Sequence, residues 1–192
     1  MDVQRELTSR FTRVIHPMPA FLVTCASQDA RPNAIAIAWL MPVSINPPLL
    51  AFAIREGRYS YRLLQENPVF VVNVMAYEQA PQVLFCGRCS GRDTDKFAAA
   101  DLTAVPAEAV DAPAIAEALA HVECEVEAEH PAGDHIIVVG RVRAVAAQPG
   151  TLVGGWRDLV AAPPLFHLGG DRFTTGSGEV VTPEAKPDAR EV

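Results

Sequence analysis

Four stretches of this 192-residue chain set polar or cationic side chains and glycines between apolar runs that would need none of them. In Arg31–Ser44, small residues would let a flat ring lie close to backbone, while Asn33, Trp39 and Ser44 supply hydrogen bonds and a stacking face. The same residues serve a core strand in which Asn33 closes a turn. Arg55–Tyr61 puts a glycine and cations where a helix would begin, and the unpaired N–H groups and positive potential of a helix start suit a phosphate. An ordinary exposed arginine fits that position as well. Cys86–Phe97 carries a Cys-x-x-Cys pair, which suggests zinc or thiol redox chemistry. No second pair follows, so a zinc donor set is incomplete. Its serine, glycines, arginines and lysine fit closure over an anion, with Lys96 as a point charge and Ser90 as a hydroxyl donor, or else a solvated surface loop. In Pro163–Gly170, His167 sits inside an apolar run, where a hydrogen-bonded core histidine is commoner than a catalyst.

Other chemistries lack their residues. No Gly-x-Gly-x-x-Gly follows a strand and no Walker loop is present, so neither a Rossmann site nor a P-loop is supported. Ser177, flanked by Gly176 and Gly178, lies in a loose C-terminal segment and not on a strand-to-helix elbow, which leaves hydrolysis unsupported.

With 16 basic and 23 acidic residues the net charge is −7, and the basic residues are scattered singly, which argues against a nucleic-acid surface. A local pocket must therefore hold any anion. The longest apolar run, Ala34–Val43, is short of the roughly 20 residues of a membrane helix and contains Pro42. Met1–Leu7 carries acids and lacks the pattern of a secretory signal, so the expected location is cytoplasmic, with the four cysteines as reduced thiols.

The elements that must position these residues follow from periodicity. Val3, Leu7, Phe11 and Val14 share one face of a short helix over Asp2–Val14, ended by Pro17 and Pro19. Ala20–Ser27 and Asn33–Leu40 read as a hairpin about a turn at Gln28–Pro32. Leu49–Ile54 suits a strand buried on both faces, Tyr59–Glu66 a helix stopped by Asn67-Pro68, Val69–Val74 a further strand and Ala80–Phe85 a helix, before a polar loop from Gly87 to Lys96. Val122, Cys124, Val126 and Ala128 alternate with four glutamates, giving one core face and one wet face, and Ile136–Val145 returns as the partner strand. Many strands with few helices imply a closed or nearly closed barrel. One domain over residues 1–175 is expected, with 176–192 as a flexible tail.

Taken in order, these stretches resemble the flavin reductase-like family, the FMN-binding split barrels that include the flavoredoxins. The resemblance is carried by Arg31-Pro32-Asn33-Ala34, Pro42-Val43-Ser44, Asn46-Pro47-Pro48, Gly57-Arg58-Tyr59-Ser60-Tyr61, Val72-Asn73-Val74, Cys86-Gly87, Ser90-Gly91-Arg92-Asp93-x-Asp95-Lys96-Phe97 and Phe166–Gly170. It implies a mainly β fold with flanking helices, a split β-barrel, and a homodimer with FMN near the subunit interface. It implies that Asn33, Ala38, Trp39 and a Pro42-Val43-Ser44 turn border the isoalloxazine and ribityl chain. Arg58, Tyr59, Ser60, Ser90 and Lys96 would surround the phosphate, and His167 would approach the ring. Cys89 departs from the family pattern and receives no role from it.

NADH or NADPH is the implied reductant, and free flavin, an oxygenase or an electron-transfer protein the implied acceptor. The cofactor does the hard chemistry, so no particular catalytic side chain is expected. Two readings stay open at this point, an NAD(P)H-dependent flavin reductase and a flavoredoxin-like FMN electron carrier with no nicotinamide-oxidising activity.

Overall fold

The computed structural model describes residues 5–27 and 31–180. The chain opens with a 3-10 segment, Arg5–Arg13, followed by β1 (Met18–Pro19), β2 (Phe21–Ala26) and β3 (Pro32–Ile37). Next come β4 (Leu40–Ser44), β5 (Leu49–Ile54), α1 (Tyr59–Glu66), β6 (Val69–Val74), α2 (Ala80–Arg88) and α3 (Lys96–Ala99). β7 (Ala104–Pro106) and β8 (Pro113–Ile115) lead into the long hairpin of β9 (Ala120–Ala132) and β10 (His135–Ala147). Four short strands follow: β11 (Leu152–Val153), β12 (Trp156–Arg157), β13 (Phe166–Gly169) and β14 (Arg172–Thr174). The expected turn at Gln28–Ala30, the first residues of the expected opening helix and the tail beyond Val180 lie outside the described residues.

Seven strands form one antiparallel sheet in the order β3-β2-β6-β9-β10-β5-β4. Its two edge strands are consecutive in sequence, and the three Cα steps from Ile37 to Leu40 can span at most about 11 Å. The sheet must therefore curl until its edges nearly meet. No ladder joins β3 to β4, so the barrel stays split there, and the link is tied instead to β5 by the Ala53 N–H, which donates to the Trp39 carbonyl at 2.9 Å.

Two apolar clusters flank the β2–β3 hairpin. Inside the barrel, Val23, Ile37, Phe52, Phe70 and Val138 pack with Leu63 and Leu64 of α1. Outside it, Leu22 and Ala34 pack with Val83 and Cys86 of α2 and Phe97 of α3. The Phe52 and Phe70 rings meet edge to face, 5.2 Å apart. Gly140 makes room for them, because a Cβ there would stand 2.4 Å from Phe70 Cζ and 3.2 Å from Cys124 Cβ. Gly140→Ala is expected to lower stability by about 1–3 kcal/mol through overpacking; an unchanged thermal midpoint would contradict this packing.

The fold departs from the sequence expectations at four places. The opening segment is 3-10 and kinked at Arg10, and Phe11 and Val14 of the expected apolar face are 60% and 68% exposed. The hairpin's second strand ends at Ile37, not Leu40, and Pro42-Val43-Ser44 is edge strand β4, not a turn, because it ladders onto β5. The polar loop ends in helix α3, whose N-cap Asp95 accepts from the Phe97 and Ala98 N–H groups at 3.1 Å each. Glu123, expected in water, is 3% exposed, with its carboxylate accepting from the Glu108 N–H at 2.9 Å and the Ala109 N–H at 2.6 Å. A loop covers that end of the wet face. No helix among the described residues is long and apolar enough to cross a membrane.

Candidate functional site

A cleft of about 710 Å³ lies against the link between β3 and β4. Its lining includes the small residues Ala36 and Ala38 and the indole of Trp39. The start of α1 and the Cys89–Arg92 segment after α2 also line it. Arg55, Arg58, Arg88, Arg92 and Lys96 line the cleft and no carboxylate does, although the chain as a whole carries a net charge of −7. Acidic surface elsewhere thus coexists with a local positive field.

The start of α1 is open. Arg58 occupies its N-cap with extended backbone and no side-chain cap bond, so the first-turn N–H groups of Tyr59 and Ser60 lack a capping acceptor. Arg55 pairs with Asp134 at 2.9 Å and Arg88 pairs with Asp171, whereas Arg58 and Arg92 make no salt bridge among the described residues. Arg92 lies over the Tyr59 ring at 5.8 Å. Behind this end, buried Asn33 donates from Nδ2 to Ser60 Oγ at 2.7 Å, and the Ser60 side chain also lies against the buried Cys25 thiol. Asn33 Oδ1 is buried with no hydrogen-bond partner among the described residues. Gly91 passes so close that a Cβ there would come within 2.1 Å of that oxygen.

Lys96 is 4% exposed and donates to the Ala34 carbonyl at 2.8 Å and the Cys86 carbonyl at 2.7 Å. Burial pulls its pKa below the usual lysine value. Two of its three donors are therefore committed to backbone, which is a different part from a free charge beside an anion.

The rim carries two histidines. His135, at the start of β10, stacks on Trp39 with ring centroids 4.9 Å apart and bonds through Nδ1 to Asp134 Oδ1 at 2.7 Å. That bond, with Arg55 beside it, holds the Asp134 carboxyl below its ordinary range. His167 on β13 bonds through Nε2 to the Gly170 carbonyl at 3.0 Å and lies between the rings of His16 and Phe173, 5.4 and 5.3 Å away.

The sequence matches the family described as "Flavin reductase like domain" across residues 12–171. That span is most of the chain. This chain belongs to the flavin reductase-like family. Among its relatives, an uncharacterized protein of Aeropyrum pernix is 37% identical over 83% of this chain and 60% of its own length. The reductase subunit HsaB of a flavin-dependent monooxygenase from Rhodococcus jostii is 34% identical over 62% of this chain, which spans 57% of that relative. Among solved structures, the flavoredoxin of Desulfovibrio vulgaris (Miyazaki F) superposes with a TM-score of 0.77 at 28% identity, covering 91% of this chain and 92% of that one. An FMN-binding protein from Thermus thermophilus gives a TM-score of 0.79 at 26% identity, covering 88% and 91%. The mainly β split barrel read from the sequence is the fold this flavin reductase-like chain has.

Of the residues singled out in the sequence, the fold brings Ala38, Trp39, Arg58, Tyr59, Ser60, Ser90, Lys96 and His167 onto the cleft, with Asn33 directly behind Ser60. Pro42, Val43 and Ser44 are not among its lining residues, since β4 runs along the outer edge of the sheet. Sequence reasoning passed over His135, while Arg55, Arg88 and Arg92 entered only as cations of the stretches that hold them. His135 follows a Pro-Ala-Gly-Asp turn with no periodicity of its own, and its only signal was an imidazole beside an aspartate in a hairpin turn.

Proposed function

We propose that this flavin reductase-like chain binds FMN in the cleft and is an NAD(P)H-dependent oxidoreductase, with residues 1–175 acting as one domain. The observation that carries the reading is the joining, in one cleft, of arginines at an uncapped helix start to the small residues Ala36 and Ala38 and the Trp39 indole. Arg58, Ser60, Ser90 and Arg92, with the Tyr59 and Ser60 N–H groups, would hold the phosphate. Ala36, Ala38 and Trp39 would take the ring, with Asn33 setting the Ser60 side chain from behind.

When bound, FMN would supply two-electron redox chemistry, with a dihydronicotinamide as the hydride donor. The chain's own work is orientation: the wall fixes the plane, the anion end fixes the position along it, and the rim limits the approach of water. His135 is held in place by Asp134 and by the Trp39 face, which leaves Nε2 as its remaining polar atom for a group docking at the rim.

Relatives named as monooxygenase reductase subunits support an oxygenase as the acceptor of the reduced flavin. Likeness to a flavoredoxin supports the second reading, an FMN carrier reduced by another protein. The homodimer belongs to the same proposal. Met41, Val43 and Ile45, on and just beyond β4, are 60%, 44% and 95% exposed, an apolar edge that a second copy would cover.

The deciding experiment is anaerobic. The purified chain is expected to take up FMN in preference to FAD, and its 450-nm band is expected to bleach on adding NADH or NADPH, wavelength and band being those of any bound flavin. Bleaching only by a protein donor would favour the carrier. Failure to bind FMN at all would sink both.

A further inference from the structure

Cys86 and Cys89 have no part in the flavin-binding scheme. They form the Cys-x-x-Cys pair of the sequence, and the fold sets both on the wall of the cleft. Cys86 lies in the last turn of α2, and Cys89 is the residue that ends the helix, its N–H still donating to the Phe85 carbonyl at 3.1 Å. Three helical steps place their Cα atoms about 5 Å apart, within the roughly 4.4–6.8 Å that a disulfide bridges.

Access differs between the two sulfurs. Cys86 is 1% exposed, and burial pushes its thiol up to about 11, whereas Cys89 is half-buried. A small oxidant entering the cleft meets Cys89 first. Lys96, fixed by its bond to the Cys86 carbonyl, stands in electrostatic reach of the Cys86 thiol and opposes part of that rise. Cys25 and Cys124 are buried in strands, their thiols pushed up to about 12, and offer no comparable target.

We infer that Cys86 and Cys89 are a peroxide-oxidisable dithiol built into the cleft wall. The oxidant is hydrogen peroxide, which reduced flavins make from oxygen; its local source rests on the flavin reading, while the chemistry at sulfur does not. The Cys89 thiolate attacks one peroxide oxygen, the O–O bond breaks, and the departing hydroxide is protonated to water. Cys89 is left as a sulfenic acid. Cys86, on giving up its proton, attacks that sulfur, the S–S bond forms, and the sulfenic oxygen leaves as a second water. Two thiols supply two electrons and one peroxide becomes two waters.

Closure ties the Ser90–Arg92 segment to the end of α2. That segment has no slack, because Gly91 already abuts Asn33 and Tyr59, where an added Cβ would lie 2.1 Å from Asn33 Oδ1 and 3.1 Å from Tyr59 Cδ1. Shifting it displaces Ser90 and Arg92 from the anion end. The oxidised chain therefore holds FMN less tightly.

The test begins with flavin-free protein treated with a small excess of hydrogen peroxide, alkylated under denaturing conditions and digested with trypsin. Cleavage after Arg62, Arg88 and Arg92 frees residues 63–88 and 89–92 as separate peptides, and a Cys86–Cys89 bond keeps them joined until reduction. The joined species is expected to grow with peroxide, to vanish with dithiothreitol, and to be absent from Cys86→Ser and Cys89→Ser. Separate peptides with Cys89 over-oxidised, or a link through Cys25 or Cys124, would overturn the assignment. In the second arm, FMN is titrated into the oxidised protein and into the same sample after reduction, with affinity expected about tenfold weaker when oxidised, or about 1.4 kcal/mol. Equal affinities in the presence of the joined peptide would refute the coupling to the cleft. No FMN uptake in either state would strike the flavin reading alone, since the peptide result is obtained without flavin.

Discussion

Lys96→Met is expected to lower the stability of the fold by about 2–5 kcal/mol, read as a shifted urea midpoint with an unchanged slope. The lysine ammonium is almost wholly buried and donates to two carbonyls, Ala34 on β3 and Cys86 in the last turn of α2. The final carbonyls of a helix have no helical donor, and a cation there also meets the negative end of the helix dipole. Lys96 is itself the first residue of α3, so one side chain ties two helices to the edge of the barrel. Methionine fills much of the same space without donors, leaving two carbonyls in a dry site. Burial already drags the lysine pKa down, so the carbonyls, not a carboxylate, offset the desolvation of the charge. A Met variant with the parent's stability and only weaker FMN binding would restore Lys96 to the free phosphate-binding charge that its neighbours in sequence suggest.

Lys96 shows where sequence reading stops. Its chemistry was legible, since a lysine in a Ser-Gly-Arg loop reads as anion-binding, but its carbonyl partner Ala34 is 62 residues away and no local pattern announces that contact. The elements themselves were legible wherever periodicity was long and flanked by breakers. Leu49–Ile54, Tyr59–Glu66 and Val69–Val74 fall within the bounds their apolar pattern and the Asn67-Pro68 stop define. β4 was not legible, because Pro42 speaks against a central strand; as an edge strand it has one side without a ladder partner, where a missing N–H does no harm. Glu123 looked solvated because alternation reports the two faces of a strand and says nothing about the loop from Ala107 to Ala109 that later folds over one of them. The site divides the same way. Arg58, Tyr59 and Ser60 are legible as a helix start, while the contributions of His135 and Arg92 depend on the β9–β10 hairpin reaching Trp39 and on the post-α2 loop reaching Tyr59.

Arg58→Glu is expected to weaken FMN binding about 100-fold, near 3 kcal/mol, while leaving riboflavin binding almost unchanged. Arg58 is exposed, makes no salt bridge among the described residues, and sits where the first N–H groups of α1 point outward without a cap. Truncation to alanine removes one charge-assisted contact, about 1.5–3 kcal/mol; reversal adds a like charge facing the phosphate dianion. Loss of helix cannot explain such a result, because an acidic residue beside a helix N-terminus favours the helix dipole and should hold or raise the thermal midpoint. Riboflavin isolates the phosphate, since it presents the same ring and ribityl chain to Ala36, Ala38 and Trp39 without the charge. Added salt supplies a second check: screening should weaken FMN binding to the parent more than to the variant. If FMN and riboflavin fall together, Arg58 is shaping the cleft and not reading its charge, and the anion end must be sought at Arg92 and Ser90 alone.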